Sequence, residues 1–121
     1  FMGVQVQARQ AKLNGAIGAA RSAAALAHAG SLVQGLAAGA SVTMEGAVIT
    51  MANFYPTADA AGIIAAAQLN TVAPADFTAA VVGTTVTISV PGSAVCSFTY
   101  TAALANAAPV IGTTVANSAC N

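Results

Sequence analysis

The chain has 121 residues, of which 57% are hydrophobic and only 5% are charged. Its three basic residues balance three acidic ones, so it lacks both the basic surface that nucleic acid requires and a polybasic patch for anionic membranes. It contains no run of about eighteen apolar residues, which excludes a transmembrane helix from these residues, and its length predicts a single domain over residues 1–121.

The first predicted element is a long helix over residues 2–29, because good helix formers dominate there and no proline precedes Pro56. At 100° per residue the helix has two contrasting sides. An aliphatic stripe, which we expect to face the core, comprises Met2, Val6, Leu13, Ile17, Ala20 and Ala24. A stripe of small residues lies across the axis and comprises Ala11, Gly15, Gly18, Ser22, Ala25 and Ala29.

The two glycines of the small stripe need an explanation. Gly15 and Gly18 each cost a helix interior about 1 kcal/mol relative to alanine. One interpretation is that small side chains let another helix or sheet approach closely on this side. The other is that alanine is merely abundant and the glycines have no role, and helical periodicity alone does not decide between the two.

Residues 30–70 are expected to hold a glycine-rich connection, a hairpin and a short helix. SVTMEGAVITM predicts two strands flanking a Glu45-Gly46 turn, and NFYPT predicts a further turn. Thr57 is the predicted cap of a second helix, ADAAGIIAAAQL, with Asp59 in its first turn and its end near Asn70.

The remainder, residues 77–121, has β character. FTAAVV, TVTISV, VCSFTYTA and PVIGTTVAN predict four strands, separated by Gly83-Thr84, by Pro91-Gly92 and by a longer connection. A long helix followed by a mostly antiparallel sheet predicts an α+β fold with the helix on one sheet face. Phe98 and Tyr100 share one face of their strand and are expected in the core, although a stacking platform for sugars or bases is an alternative.

Cys96 and Cys120 favour a disulfide over two free thiols. Their spacing is too long for a redox CxxC motif, and a zinc site would need two further ligands that this region does not supply. A disulfide also indicates an oxidising compartment.

The sequence offers few residues suited to catalysis or metal binding. His28 is the only histidine and is expected at the surface or at the helix end, where its charged form would suit the helix dipole. Glu45, Asp59 and Asp76 are far apart in the sequence and are expected to be single solvated turn or cap residues. We therefore predict no catalytic residue, metal site or cofactor.

Three stretches resemble the globular half of bacterial type IV pilins. FMGVQVQARQAKLNGAIGAARSAAALAHA is similar to the exposed half of the pilin helix, and CSFTYTAA…ACN to the disulfide-bounded loop near the pilin C-terminus. VTMEGAVITMANFYPTADAAGI is similar to the corresponding stretch of the mannose-sensitive haemagglutinin (MSHA) pilins and is the most specific match. The resemblance covers nearly the whole chain. It implies a pilin-like roll, in which the helix packs on an antiparallel sheet with a C-terminal disulfide-bounded loop.

The start of the chain departs from this family. Pilins begin with a phenylalanine and about twenty apolar residues, with a glutamate where this chain has Gln5. Phe1 is instead similar to a phenylalanine in the middle of the pilin helix. We therefore expect the membrane-inserting half of the helix to be absent from these residues, either removed or present as a separate short chain.

The resemblance implies a structural protein, not an enzyme: the major pilin of an extracellular type IV pilus that mediates surface attachment in a Gram-negative bacterium. Its partners would be further copies of itself, the pilus assembly machinery and, for the precursor, the inner membrane through the absent segment. The contact face in the filament would be the small stripe, in particular Ala11, Gly15, Gly18, Ser22 and Ala25.

Two alternative functions stay open. One is a minor pilin or a pseudopilin of a type II secretion or DNA-uptake machine, although no acidic cluster near the C-terminus matches the calcium loop of the major pseudopilins. The other, of a different class, is a soluble secreted binding module.

Overall fold

A computed structural model describes residues 2–113 and 120 of the chain. An N-terminal helix packs on antiparallel sheets, and the Cys96–Cys120 disulfide lies near the C-terminus. The predicted α+β class and the predicted disulfide are therefore confirmed.

Helix α1 (Met2–Val33) has 32 residues and is about 48 Å long at 1.5 Å per residue. It ends four residues beyond the predicted boundary, because Gly30 remains helical. The backbone N–H of Gly35, whose φ is +66°, donates to the carbonyl of Leu32, and that of Leu36 donates to the carbonyl of Ser31. This pair of hydrogen bonds is the Schellman arrangement, which satisfies the last helical carbonyls and stops the helix.

The aliphatic stripe of α1 faces the core, as predicted. Leu13, Ile17, Ala20 and Ala24 are buried there, while the half-buried Val6 packs against the edge of the cluster. The side chain of Met2 lies outside the described residues. The i, i+3, i+4 spacing of these residues explains why one side of the helix is withdrawn from water.

Two short hairpins follow the helix. Strands β1 (Val42–Met44) and β2 (Ala47–Ile49) flank the predicted Glu45-Gly46 turn, where φ is +49° and +79°. Both turn residues are left-handed, as a type I′ hairpin requires. Strands β3 (Met51–Ala52) and β4 (Tyr55–Pro56) form a second hairpin in the region that the sequence predicted only as a turn.

The second helix differs from its prediction. A π-helical turn at Ala60–Ile64 continues into the short helix α2 (Ala65–Ala67), and Gly62 inside it has non-helical angles (φ −99°, ψ −109°). Asp59, not Thr57, occupies the cap position; the Thr57 hydroxyl lies 2.8 Å from the Asp59 carboxylate. Gln68, in the left-handed conformation, ends the helix before Asn70.

A four-stranded antiparallel sheet completes the fold, in the order β5-β6-β7-β8. Its strands are β5 (Thr78–Val82), β6 (Thr85–Val90), β7 (Ser93–Thr101) and β8 (Val110–Thr113). In β7 the buried residues Cys96, Phe98 and Tyr100 alternate with half-buried ones, so one sheet face meets α1. The predicted core positions of Phe98 and Tyr100 are confirmed. The predicted fourth strand is described only up to Thr113.

Candidate functional site

The small stripe of α1 lies in solvent, opposite the core. All six of its members are exposed: Ala11, Gly15, Gly18, Ser22, Ala25 and Ala29. A Cβ atom added to Gly15 or Gly18 would meet nothing within 4 Å. Packing among the described residues therefore does not require glycine at either position.

Larger apolar side chains extend the same side of the helix. Val4, Leu26, Leu32 and Val33 are 67%, 64%, 55% and 88% exposed. At 100° per residue each lies within about 60° of the centre line of the stripe, and no charged residue of α1 does. We call this surface, from Val4 to Val33, the outer face of α1. The larger members were not predicted from the sequence, because the predicted stripe included only small residues and the predicted helix ended at residue 29.

A groove of about 370 Å³ runs along one margin of the outer face. Arg21, Ala25 and His28 line it from α1, and Pro109 and Ile111 line it from the start of β8. Its lining is mostly aliphatic, with the exposed Arg21 as its cation. No sequence signal reveals this groove, because its two walls are about 80 residues apart in the chain.

His28 is not at the helix end, which corrects the sequence prediction. It is half-buried, and its ring stacks on that of Tyr55 with centroids 4.0 Å apart and planes 5° from parallel. Its Nδ1 lies 2.9 Å from the Phe54 carbonyl oxygen. Since a carbonyl only accepts, Nδ1 carries the hydrogen, and the contact fixes the ring orientation.

The Asn53-Phe54 turn beside His28 is held from three directions. Both residues have left-handed backbones, with φ of +52° and +70°, which is costly for an aromatic residue. The Phe54 N–H donates to the carbonyl of Ala38, and the Asn53 amide donates to the carbonyl of Ala103. With the His28 contact, these bonds join the helix, the glycine-rich connection and the segment after β7.

The β1–β2 hairpin lies at the other side of α1. A cleft of about 250 Å³, lined by Leu26 and Gly30 from α1 and by Gln34 just after the helix end, separates the helix from the turn that contains Glu45. Glu45 is exposed at the tip of this turn, and Val48, the middle residue of β2, is 64% exposed. The tip therefore presents one carboxylate next to apolar surface.

Four of the six charged side chains have partners within the chain. The Arg9 guanidinium donates to the Cys120 carbonyl at 3.1 Å, Lys12 lies 3.8 Å from the Asp76 carboxylate, and Asp59 accepts from Thr57. Glu45 is an exposed turn residue, as predicted, and Asp59 occupies a helix cap but is half-buried. Asp76 is exposed but paired with Lys12, so it is not the single residue that the sequence predicted.

The remaining two charged side chains are those of Arg21 and Glu45. Within residues 2–113 and 120, neither Arg21 nor Glu45 has an ion pair or a hydrogen bond. In the same part of the chain, no three His, Cys, Asp or Glu side chains are grouped as a metal site would require.

The disulfide and Tyr100 form the most buried part of the core near the C-terminus. Cys96, Cys120 and Tyr100 are all fully buried. The Tyr100 hydroxyl donates to the Pro56 carbonyl at 2.7 Å, and burial raises the pKa of Tyr100 above its ordinary value. Because the two cysteines are bonded to each other and the Tyr100 hydroxyl has a hydrogen-bond partner within the protein, we interpret these groups as contributors to fold stability.

Comparison with known protein families, with curated proteins and with solved structures gives no match to this chain. In the described part of the chain, no helix combines the length and the hydropathy that crossing a bilayer demands. The outer face of α1, bordered by the groove and the Glu45 hairpin, is thus the candidate site that the geometry supplies.

Proposed function

We propose that this chain is the globular part of a type IV pilin, most similar to the MSHA type, and that it serves as the major structural subunit of an extracellular filament. Its α+β arrangement, with an N-terminal helix on antiparallel sheets and a disulfide near the C-terminus, is compatible with the pilin-like roll that the resemblance implies. The chain would act as a building block and not as an enzyme.

The observation that carries the proposal is the outer face of α1. A monomeric protein rarely leaves a long uncharged helix face in water, and such a face marks a surface for another protein. The four large side chains on it are more than half exposed. Burying the exposed parts of these side chains between subunits would contribute about 4–8 kcal/mol in total, from roughly 1.5–3 kcal/mol for each fully buried side chain scaled by its exposed fraction.

The small residues between those side chains complete the argument. Because Gly15 and Gly18 have open space around them, a second helix can approach the axis of α1 closely at that point. The low charge of the chain fits the same purpose, since few charges would need to be desolvated when copies associate. Both features favour a homopolymer in which α1 packs against its copies.

Membrane contact would belong to a different part of the pilin. The resemblance assigns insertion of the precursor in the inner membrane to an apolar segment ahead of Phe1, and extraction of the subunit to the pilus assembly machinery. The globular part would then face the outside in the finished pilus, where it mediates attachment. The disulfide, formed in the oxidising periplasm, fits this route.

Electron microscopy with an antibody raised against the 121-residue chain tests the proposal. We expect gold label along thin surface filaments on the native cells. Protein confined to the cell envelope without labelled filaments would instead support a minor pilin or pseudopilin. Protein recovered only as a soluble species in the periplasm or medium would contradict the filament proposal and support a secreted binding module.

A further inference from the structure

We infer that the Glu45 hairpin of one subunit docks into the Arg21 groove of the next, so that the two charges without a partner among the described residues of one chain pair between chains. This inference rests on the proposed filament function and names the second copy as the occupant of the groove. The β1–β2 tip supplies one carboxylate and the exposed Val48; the groove supplies one guanidinium and an aliphatic lining.

The charge inventory supports this inference. Only 5% of the residues are charged, and four of the six charged side chains are already engaged within the chain. Arg21 and Glu45 are left over, and they have opposite sign. One lies beside a groove and the other on a hairpin tip, so the two surfaces are complementary in charge.

One chain cannot join these two surfaces by itself. Arg21, Ala25 and His28 lie on one side of α1, whereas Leu26 and Gly30, next to the Glu45 hairpin, lie roughly 150° away around the helix axis. The helix therefore stands between the groove and the tip. Pairing needs a second molecule.

Such a contact would produce an open polymer. Two different patches on opposite sides of a subunit form a heterologous contact, which repeats without closing when the rotation does not complete a ring. The outer face lies between the two patches, with Ala25 shared with the groove and Leu26 shared with the hairpin cleft. Docking of the tip is thus continuous with burial of the outer face.

Charge reversal tests the inference more sharply than truncation. A partly exposed ion pair contributes little attraction, but two like charges brought together at an interface are strongly unfavourable. In the full-length protein expressed in its native host, we expect Arg21→Glu or Glu45→Arg alone to lower the amount of protein in sheared surface filaments by about tenfold or more. The double variant Arg21→Glu/Glu45→Arg, which restores the net charge and the opposite pairing, is expected to recover filaments.

A matched control separates this contact from a general effect of charge. Asp76→Arg changes the net charge as much as Glu45→Arg does, on an exposed side chain whose partner, Lys12, belongs to its own chain. It is expected to leave filament yield near the wild-type level. Thermal melting of each purified 121-residue variant checks that folding is unchanged, as expected for exposed side chains.

The outcomes distinguish this inference from the proposed function. If the wild-type protein does not occur in filaments, the proposed function fails. If it does, but the single reversals assemble normally, or the double variant is no better than the singles, the docking inference alone is overturned. Loss of filaments in Asp76→Arg to the same extent would also overturn it. An effect of Arg21→Glu that Glu45→Arg does not rescue would indicate another ligand in the groove and would count against a second copy.

Discussion

Replacing the two glycines of the outer face with leucine should stabilise the folded monomer but weaken assembly. Gly15 and Gly18 lie in the interior of a 32-residue helix, are exposed, and have no atom within 4 Å of an added Cβ. Replacing them with Ala removes the conformational cost of a helical glycine, about 1 kcal/mol at each position, without a steric penalty. Leu, also a good helix former, should give about 0.8 kcal/mol at each position.

The expected size of the folding effect follows from the length of the chain. For 121 residues, a change of 1 kcal/mol shifts the melting temperature by about 4 °C. Gly15→Ala/Gly18→Ala should therefore raise it by about 8 °C, and Gly15→Leu/Gly18→Leu by about 6 °C. Calorimetry on the purified 121-residue chain measures both shifts.

Assembly should separate the two double variants. Ala keeps the outer face small, whereas two Leu side chains obstruct a closely approaching helix at a cost of about 1–3 kcal/mol per contact. Such a cost weakens subunit association by roughly 5- to 150-fold. We therefore expect the full-length Ala variant to form filaments and the Leu variant to lose most of them, although both monomers are more stable than wild type.

The Ala variant is the matched control, since it makes the same helical change without the bulk. Equal filament yields from the two variants would refute the assignment of the outer face as a contact surface. A lower melting temperature for either variant would refute the structural premise that these positions are open.

Three further changes probe the folded chain by thermal melting or chemical denaturation. Replacing both cysteines of the disulfide with alanine removes a cross-link between residues 24 positions apart in the sequence. The free energy of unfolding should decrease by about 3.5 kcal/mol because the unfolded chain regains loop-closure entropy, and an unchanged melting temperature would contradict this. Because burial raises the pKa of Tyr100, its hydroxyl loses its proton at lower pH in the unfolded state than in the folded state. The free energy of unfolding should therefore be unaffected by this group below pH 10 and should decrease above it by up to about 1.4 kcal/mol per pH unit. Tyr100→Phe should remove this part of the alkaline loss, and an identical pH profile would refute it. Gly62→Ala would drive a Cβ atom into the Thr57 carbonyl and should cost about 3 kcal/mol, whereas a neutral effect would show that the π-helical turn relaxes freely.

Local patterns in the sequence determined much of the fold. The spacing of Leu13, Ile17, Ala20 and Ala24 identifies the buried side of α1, because residues three and four apart share one face of a helix. The Glu45-Gly46 turn followed from local turn chemistry. These features depend on neighbours in the sequence, so a single sequence contains the information for them.

The short helix marks the limit of that information. Thr57 is a reasonable cap by residue type, yet the structure places Asp59 at the cap and bends the turn at Gly62. The Thr57 backbone is engaged elsewhere: its N–H donates to the carbonyl of Thr50, and its carbonyl accepts from Ile63. Pairing with Thr50, the residue between β2 and β3, thus overrides a local capping preference.

The candidate site likewise depends partly on local sequence and partly on tertiary structure. The sequence determined that α1 carries a small stripe opposite its aliphatic one. Only the tertiary structure decided that this stripe is left uncovered, that the start of β8 forms a groove against Arg21, and that the Glu45 hairpin lies on the far side of the helix. The physical reason is that a helical period fixes directions around one axis, whereas what occupies each direction depends on packing between segments tens of residues apart.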